Sequence, residues 1–377
     1  MAGESRVAHP EIVGIMISLA YKPNAAAVLE RLRTLFARNA PDRIFAAIQV
    51  PSPALEEFGR QYPEGFCDYP DPEERIAFWD RLLAERAQLE DDSIPSAYLS
   101  EMDQGLYGAI FGGEIRFMAH PENGWISSMV PPLLEDWPEF DALQLDPSSL
   151  WFNRYLRQLD VFARGSKGKF GVSHFILIDG LNFAFELVGA TKTYLGLEDC
   201  PELVRRVIDF AFDLNVRVQE SFFDVAPALE GGTASNMVEW IPGRIVSESV
   251  DPFHMTSVQH FETWGREPVE RIFGRFDGGV LHLHGNGRHL LEAVCTIQGL
   301  KAIFLGDDKG YPPAFEILDP LRRRAGDVPL VVQVEDAALR ERLSAHTLTG
   351  GVLYKVQGVA DVAAANRLME EVRAYRL

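Results

Sequence analysis

Two histidines set two positions apart, His282 and His284, close an apolar run that begins at Gly279 and passes into the turn Gly285-Asn286-Gly287-Arg288. In an extended strand alternate side chains project from one face, roughly 6.5 Å apart along the chain. Both imidazoles therefore point the same way, within reach of one metal ion or one substrate anion. Neutral imidazoles suit zinc or another first-row divalent ion, and a carboxylate completes a three-ligand set with one position open. Glu248, first among the candidates, Asp251 and Asp307 are placed to supply that carboxylate. An ion held there would polarise a bound group or lower the pKa of a coordinated water towards about 7.

The same residues allow a scheme without metal or any other cofactor. His282 and His284, with Asp179 or Asp251, would act as acid and base on a carboxylate substrate. Arg288 and the backbone N–H groups of a helix beginning at 289 would hold the anion. Gly285 and Gly287 let the backbone come close to whatever the imidazoles hold. The turn is no dinucleotide fingerprint, because the full glycine spacing and the later acidic residue are both missing. The plain alternative is a pair of core histidines satisfied by neighbouring carbonyls.

Such residues need a rigid frame. Apolar, β-rich runs recur at 94–99, 170–178, 228–235, 244–250, 279–284, 301–305, 329–334 and 351–356. Several are separated by helical stretches, which predicts an α/β fold of the (β/α)8 TIM barrel type with its active site at the C-terminal strand ends. Polar residues follow many of these runs: Asp179-Gly180, Glu248 to Asp251 and then His254, Asp307-Asp308, Glu335-Asp336, and Lys355 with Gln357. Each acid alone can equally cap the next helix. Asp199 with Pro201 and Glu202 predicts one such helix start, followed by a core stripe from Leu203 to Leu214. The first ninety residues read as mainly helical, amphipathic over 25–39 and 72–89, with apolar runs at 12–20 and 44–50 as strands beside the main body. The expected organisation is a helical extension, 1–90, packed on a barrel, 91–377.

A hydrophobic share of 47% provides a sizeable core, and the net charge of −19 would repel nucleic-acid phosphates and disfavours a polyanionic substrate. The three cysteines, Cys67, Cys200 and Cys295, fit a reducing cytoplasm and no disulfide framework. No signal core and no run of about 18 apolar residues is present, so a soluble cytoplasmic protein without a membrane partner is expected. Trp240, Trp264 and Phe253 can shape an apolar substrate pocket, and Tyr107 and Glu101 can reach the mouth. His174 and His260 read as structural.

Several segments are family-like. Leu187-Val188-Gly189-Ala190-Thr191 follows the Asp179 strand end, and Pro201-Glu202-Leu203-Val204 opens a helix. Trp240-Ile241-Pro242-Gly243-Arg244, Asp251 and the strand ending in His282 come next. In order and spacing these resemble divergent members of the uroporphyrinogen decarboxylase superfamily over about 92–377. The resemblance implies a TIM barrel with one of two chemistries. One is cofactor-free decarboxylation of the acetate arms of uroporphyrinogen. The other is methyl transfer between corrinoid proteins and thiols, with zinc held by a His-x-Cys pair and a later Cys.

This chain departs from both. It lacks the decarboxylase's N-terminal arginine-rich signature, His284 stands where the first Cys would be, and the last strand offers Lys355 and Gln357 instead of a thiol. The expectation is an enzyme acting on a small molecule, by metal-assisted methyl transfer or a related bond cleavage. Decarboxylation and a non-catalytic binding barrel are the alternatives. A corrinoid would arrive on a separate protein, since no Asp-x-His-x-x-Gly motif occurs. Barrels of this superfamily often pair, which leaves a homodimer open.

Overall fold

The computed structural model describes residues 19–146, 148–226 and 228–377. Eight strands concern the site: β1 (Ile44–Ile48), β2 (Ser96–Tyr98), β3 (Gly171–Ser173), β4 (Val246–Ser249), β5 (Gly279–Leu283), β6 (Leu300–Leu305), β7 (Leu330–Glu335) and β8 (Val352–Gln357). Six form one parallel sheet in the order β1-β8-β7-β6-β5-β4. Parallel neighbours need crossover connections, and helices provide them after each strand from β4 to β7.

Strands β2 and β3 form a separate parallel pair. Leu177, just beyond β3, makes an isolated parallel bridge with Glu248 of β4, and its N–H donates to the Ser247 carbonyl at 2.8 Å. The segment entering β2 reaches β1: Asp92 N–H donates to the Ala46 carbonyl, and the Asp92 carboxylate accepts the Ala46 N–H at 3.0 Å. Neighbour contacts thus continue from each edge of the six-stranded sheet onto the β2–β3 pair.

Alternation sorts the strand residues into two cores. Phe45, Ala47, Val280, Ala302, Val331 and Leu353 belong to an inner cluster with helix α1 (Ala25–Phe36) and Trp240. Ile44, Ile48, Leu281, Leu283, Ile303, Leu305 and Val332 face the surrounding helices. A strand buried on both faces reads as an unbroken apolar run, which is why β1 is Ile-Phe-Ala-Ala-Ile. That strand comes from the opening ninety residues, expected to pack beside the main body; it pairs instead with β8 inside the sheet.

The run 228–235 also differs from expectation. Gly232–Ser235 pairs antiparallel with Glu239–Pro242 as a hairpin, outside the parallel sheet. Gly232 permits this, because a Cβ there would lie 2.3 Å from the Trp240 ring. The hairpin ends beside the start of β4, and its tip reaches mid-sheet, where Asn236 N–H donates to Ser173 Oγ and Lys355 Nζ donates to the Asn236 carbonyl. Of the expected strand 12–20, residues 12–18 lie outside the described residues.

Helix boundaries shift in two places. Asp199 ends the helix Ala190–Asp199, and Cys200 precedes the next, Pro201–Val225. The helix expected from 289 begins as a 3-10 turn, Gly285–Leu290, and continues only over Leu291–Cys295. No helix among the described residues is long and apolar enough to cross a membrane.

Candidate metal and substrate site

Register carries His282 inward. It stands opposite Ser249 of β4 and Phe304 of β6, and its ring stacks on Phe304 with centroids 5.5 Å apart. The backbone is still extended at His284, with φ −69° and ψ 165°, so both imidazoles share the face. Their centroids are 4.3 Å apart. Gly306 leaves room for the first ring: a Cβ there would lie 2.9 Å from His282 Nε2.

Asp251, just beyond β4, completes the group, and one ligating atom from each of Asp251, His282 and His284 lies within 4.8 Å of the others. Asp251 Oδ1 stands 3.8 Å from His284 Nε2 and is buried without a hydrogen-bond partner. Behind the second imidazole, Asp308 Oδ1 lies 2.9 Å from His284 Nδ1, while its Oδ2 accepts the Gly285 N–H. A carboxylate only accepts, so Nδ1 carries the proton and Nε2 turns its lone pair towards Asp251.

The electrostatics agree with that arrangement. Burial, assisted by His284 and His254, pushes the His282 imidazole down to about 3, which keeps it neutral with a free lone pair. Burial raises Asp251, and His284 opposes the rise. For Asp308 burial acts upward, but the His284 hydrogen bond and the Gly285 N–H hold its carboxyl below the usual value.

A fourth group, His254, is buried beside the set, with Nδ1 3.6 Å from Asp251 Oδ1 and its ring 5.5 Å from that of His284. Burial brings it down to about 3 as well. The donor set fits a divalent first-row ion. With bonds of about 2.1 Å, two ligand atoms can lie up to about 4.2 Å apart across one ion, and the 3.8 Å between Oδ1 and Nε2 falls within that span.

The structure separates other expected site residues from this centre. Glu248 is in register with outward-facing Leu281, so it points away from the imidazoles; it is buried, with Oε2 unpartnered and its carboxyl raised by burial and by Asp179. Asp251 takes the place expected of it. Asp179 caps the helix Gly180–Val188 by accepting the Leu181 and Asn182 N–H groups at 2.8 and 3.1 Å, and burial pushes it up to about 7.

Arg288 is turned into the protein, donating to the carbonyls of Pro312 and Gly306 and to Asp307 Oδ1, so both partners of that ion pair are occupied away from the histidines. Gly285 supplies its N–H to Asp308, and Gly287 makes room for His254, whose ring would lie 2.2 Å from a Cβ there. Trp240 is far from the mouth: it is fully buried in the hairpin, donates to the Leu229 carbonyl, and carries Arg33 of α1 on its face. Trp264 packs against Arg205, and Phe253 against Phe261. Glu101 is paired with Arg75, and Tyr107 donates to Asn215 at 2.5 Å, so neither opens to the mouth.

Two residues beyond Glu101, Asp103 does open there. With Tyr98 and Gln104 it lines one side of a 140 Å³ cavity; the segment 176–178 and Ser249 line the middle, and Asp251 and His282 the other side. A wider groove of 710 Å³ lies across the ends of β1, β7 and β8, bordered by Gln49, Glu56, Glu122, Glu335 and Gln357. Sequence reasoning did not assign roles to Asp103, His254, Phe304 or Asp308. Two of them had a signal: His254 follows the Glu248–Asp251 strand end, and Asp308 is the neighbour of Asp307 at the end of the strand following the histidine pair.

No family model matches this chain, and no curated protein matches it. Among solved structures it is similar to a methyltransferase from Methanosarcina mazei, with a TM-score of 0.59 and 12% sequence identity. The match covers 94% of this chain and 99% of that one. At that identity the likeness concerns the fold: an α/β architecture around a central parallel sheet.

Proposed function

We propose that this chain is an enzyme of the uroporphyrinogen decarboxylase and corrinoid methyltransferase superfamily, built as a (β/α)8 barrel, that transfers a methyl group at a divalent metal site. One observation carries the reading. Asp251, His282 and His284 bring three ligand atoms within 4.8 Å of one another beside a small cavity, with the Asp251 oxygen unpartnered and the His284 tautomer fixed by Asp308. The similarity in fold to a methyltransferase supports methyl transfer over other reactions of such a centre.

These three residues would hold the ion. When bound, it would supply Lewis acidity towards a thiol or hydroxyl that accepts the methyl group. With nitrogen and oxygen donors and no thiolate, the ion is a harder acid than one bound by cysteines, which suits a hydroxyl or a water better than a sulfur. The chain's own residues do the rest. His282 is held neutral by burial, Phe304 fixes its plane, and Asp308 keeps His284 oriented. A corrinoid serving as the other methyl carrier would come on a separate protein.

Cofactor-free decarboxylation has less support, because Arg288 is committed to backbone carbonyls and Asp307, and the cavity beside His282 has no Lys or Arg among its described lining residues. Elemental analysis of protein purified without added metal or chelator tests the proposal. Stoichiometric zinc or another first-row metal, lost in His282→Ala and in Asp251→Ala, is the expected result. Wild-type protein without metal, and unable to bind added zinc, would sink it.

A further inference from the structure

The cavity beside the imidazoles has a negative group on the flank away from them. Asp103 stands there, while the charge of Asp251 would be met by the proposed ion, and neither Lys nor Arg is among the described lining residues. Lys355 of β8 is neutralised by Glu239 at 3.0 Å and bonded to the Asn236 carbonyl. Arg288 is occupied elsewhere.

Asp103 is also built to stay in place. Ser128 donates to its Oδ1 twice, from the backbone at 2.8 Å and from the hydroxyl at 2.9 Å. Among the described residues no Lys, Arg or His makes an ion pair with it. Burial without a counter-cation pushes its carboxyl up to about 7.

The order of strands sets the distance between the flanks. Asp103 follows β2 and His282 lies near the end of β5, with β3 and β4 between them, so a molecule filling the cavity touches Asp103 at one end and Asp251 and His282 at the other. At roughly 30 Å³ per water, the space holds about five waters or one small organic molecule. We infer that the substrate of this site is a small organic cation of the ammonium type, whose charged group is anchored by Asp103 while its other end lies at Asp251 and His282. This rests on the proposed function for what happens at the trio, but the charge preference can be tested apart from it. A half-buried carboxylate without a counter-charge gains most from a ligand that brings the missing charge.

Two probes of one shape separate the cases: choline and its neutral carbon isostere, with a quaternary carbon in place of the nitrogen. Calorimetric titration of wild-type protein should show choline binding at least about tenfold more tightly than the isostere. Asp103→Asn keeps the acceptor for Ser128 but removes the charge, and should abolish the preference; Asp103→Glu should retain it. Equal or tighter binding of the neutral probe to wild-type protein overturns the inference, as does failure of both to bind. A preference unchanged in Asp103→Asn also overturns it. Metal content, measured on the same samples, reports on the proposed function alone: it should survive Asp103→Asn, and its absence from wild-type protein would count against methyl transfer without altering the charge preference.

Discussion

Removing Asp308 should weaken metal binding without touching any residue proposed to hold the ion. The carboxylate grips His284 Nδ1 at 2.9 Å and the Gly285 N–H with its other oxygen, so it sets both the ring plane and the tautomer. Without it, the Nδ1–H tautomer and its Nε2–H counterpart become comparable in energy, and the second cannot coordinate towards Asp251. Losses of about 10- to 100-fold in metal affinity are usual when such a supporting carboxylate is deleted, equivalent to about 1.4–2.7 kcal/mol. Asp308→Asn keeps one acceptor oxygen but loses the charge, and should fall near the lower figure. Asp308→Ala loses both and should approach the upper. Competition with a chromogenic zinc chelator at constant pH measures the three dissociation constants directly. An Asp308→Ala protein that binds zinc within about twofold of wild type would refute the claim that this carboxylate organises the site. Acid should act in the same direction. Because the Asp308 carboxyl is held below its usual value in the folded protein, the stability its contacts contribute is present above that usual value and is lost as pH falls through the lowered one.

Other expectations follow from the same geometry. Gly287→Ala would put a Cβ 2.2 Å from the His254 ring, and should lower stability by about 1–3 kcal/mol in urea melts, with His254 displaced from Asp251. Asp179 is raised to about 7 when folded, so the folded state binds the extra proton between the ordinary carboxylate range and that value, and stability falls as pH rises through the window. Asp179→Asn preserves the helix cap and should flatten that part of the stability–pH curve; a curve with wild-type slope would contradict it. The buried Arg75–Glu101 pair, with side chains 4% and 1% exposed, should make Glu101→Ala costly by about 3–5 kcal/mol, visible as a large drop in Tm.

The histidine pair was legible because a strand's two-residue period is a local property, and the chain stays extended through His284. Their partners were harder to read. Asp251 and Asp308 arrive from strands on either side of β5, and which of several nearby acids turns inward depends on register: Ser249, not Glu248, lies opposite His282. Most of the sheet was legible too, since buried parallel strands are nearly continuous apolar runs. Sheet membership was not. The run ending in Ser235 has the same local character whether it joins a parallel neighbour or folds back on Glu239–Pro242, and pairing energy with distant segments decides. β1 was underrated for the converse reason, as its partner β8 lies some three hundred residues away. Arg288 illustrates a further ambiguity: a guanidinium beside a glycine turn serves an anion or the chain's own carbonyls equally well in one dimension, and here the carbonyls of Gly306 and Pro312 claim it.

The hairpin carrying Trp240 has a bearing on traffic. Its tip, held by Ser173 and Lys355, and its base, packed on α1, fill the space beneath the imidazoles from below. Among the described residues the hairpin therefore closes that side, and a molecule reaching His282 would come from the strand ends, where the cavity lies. On the proposed reading, a carrier as large as a protein would present its cargo from above.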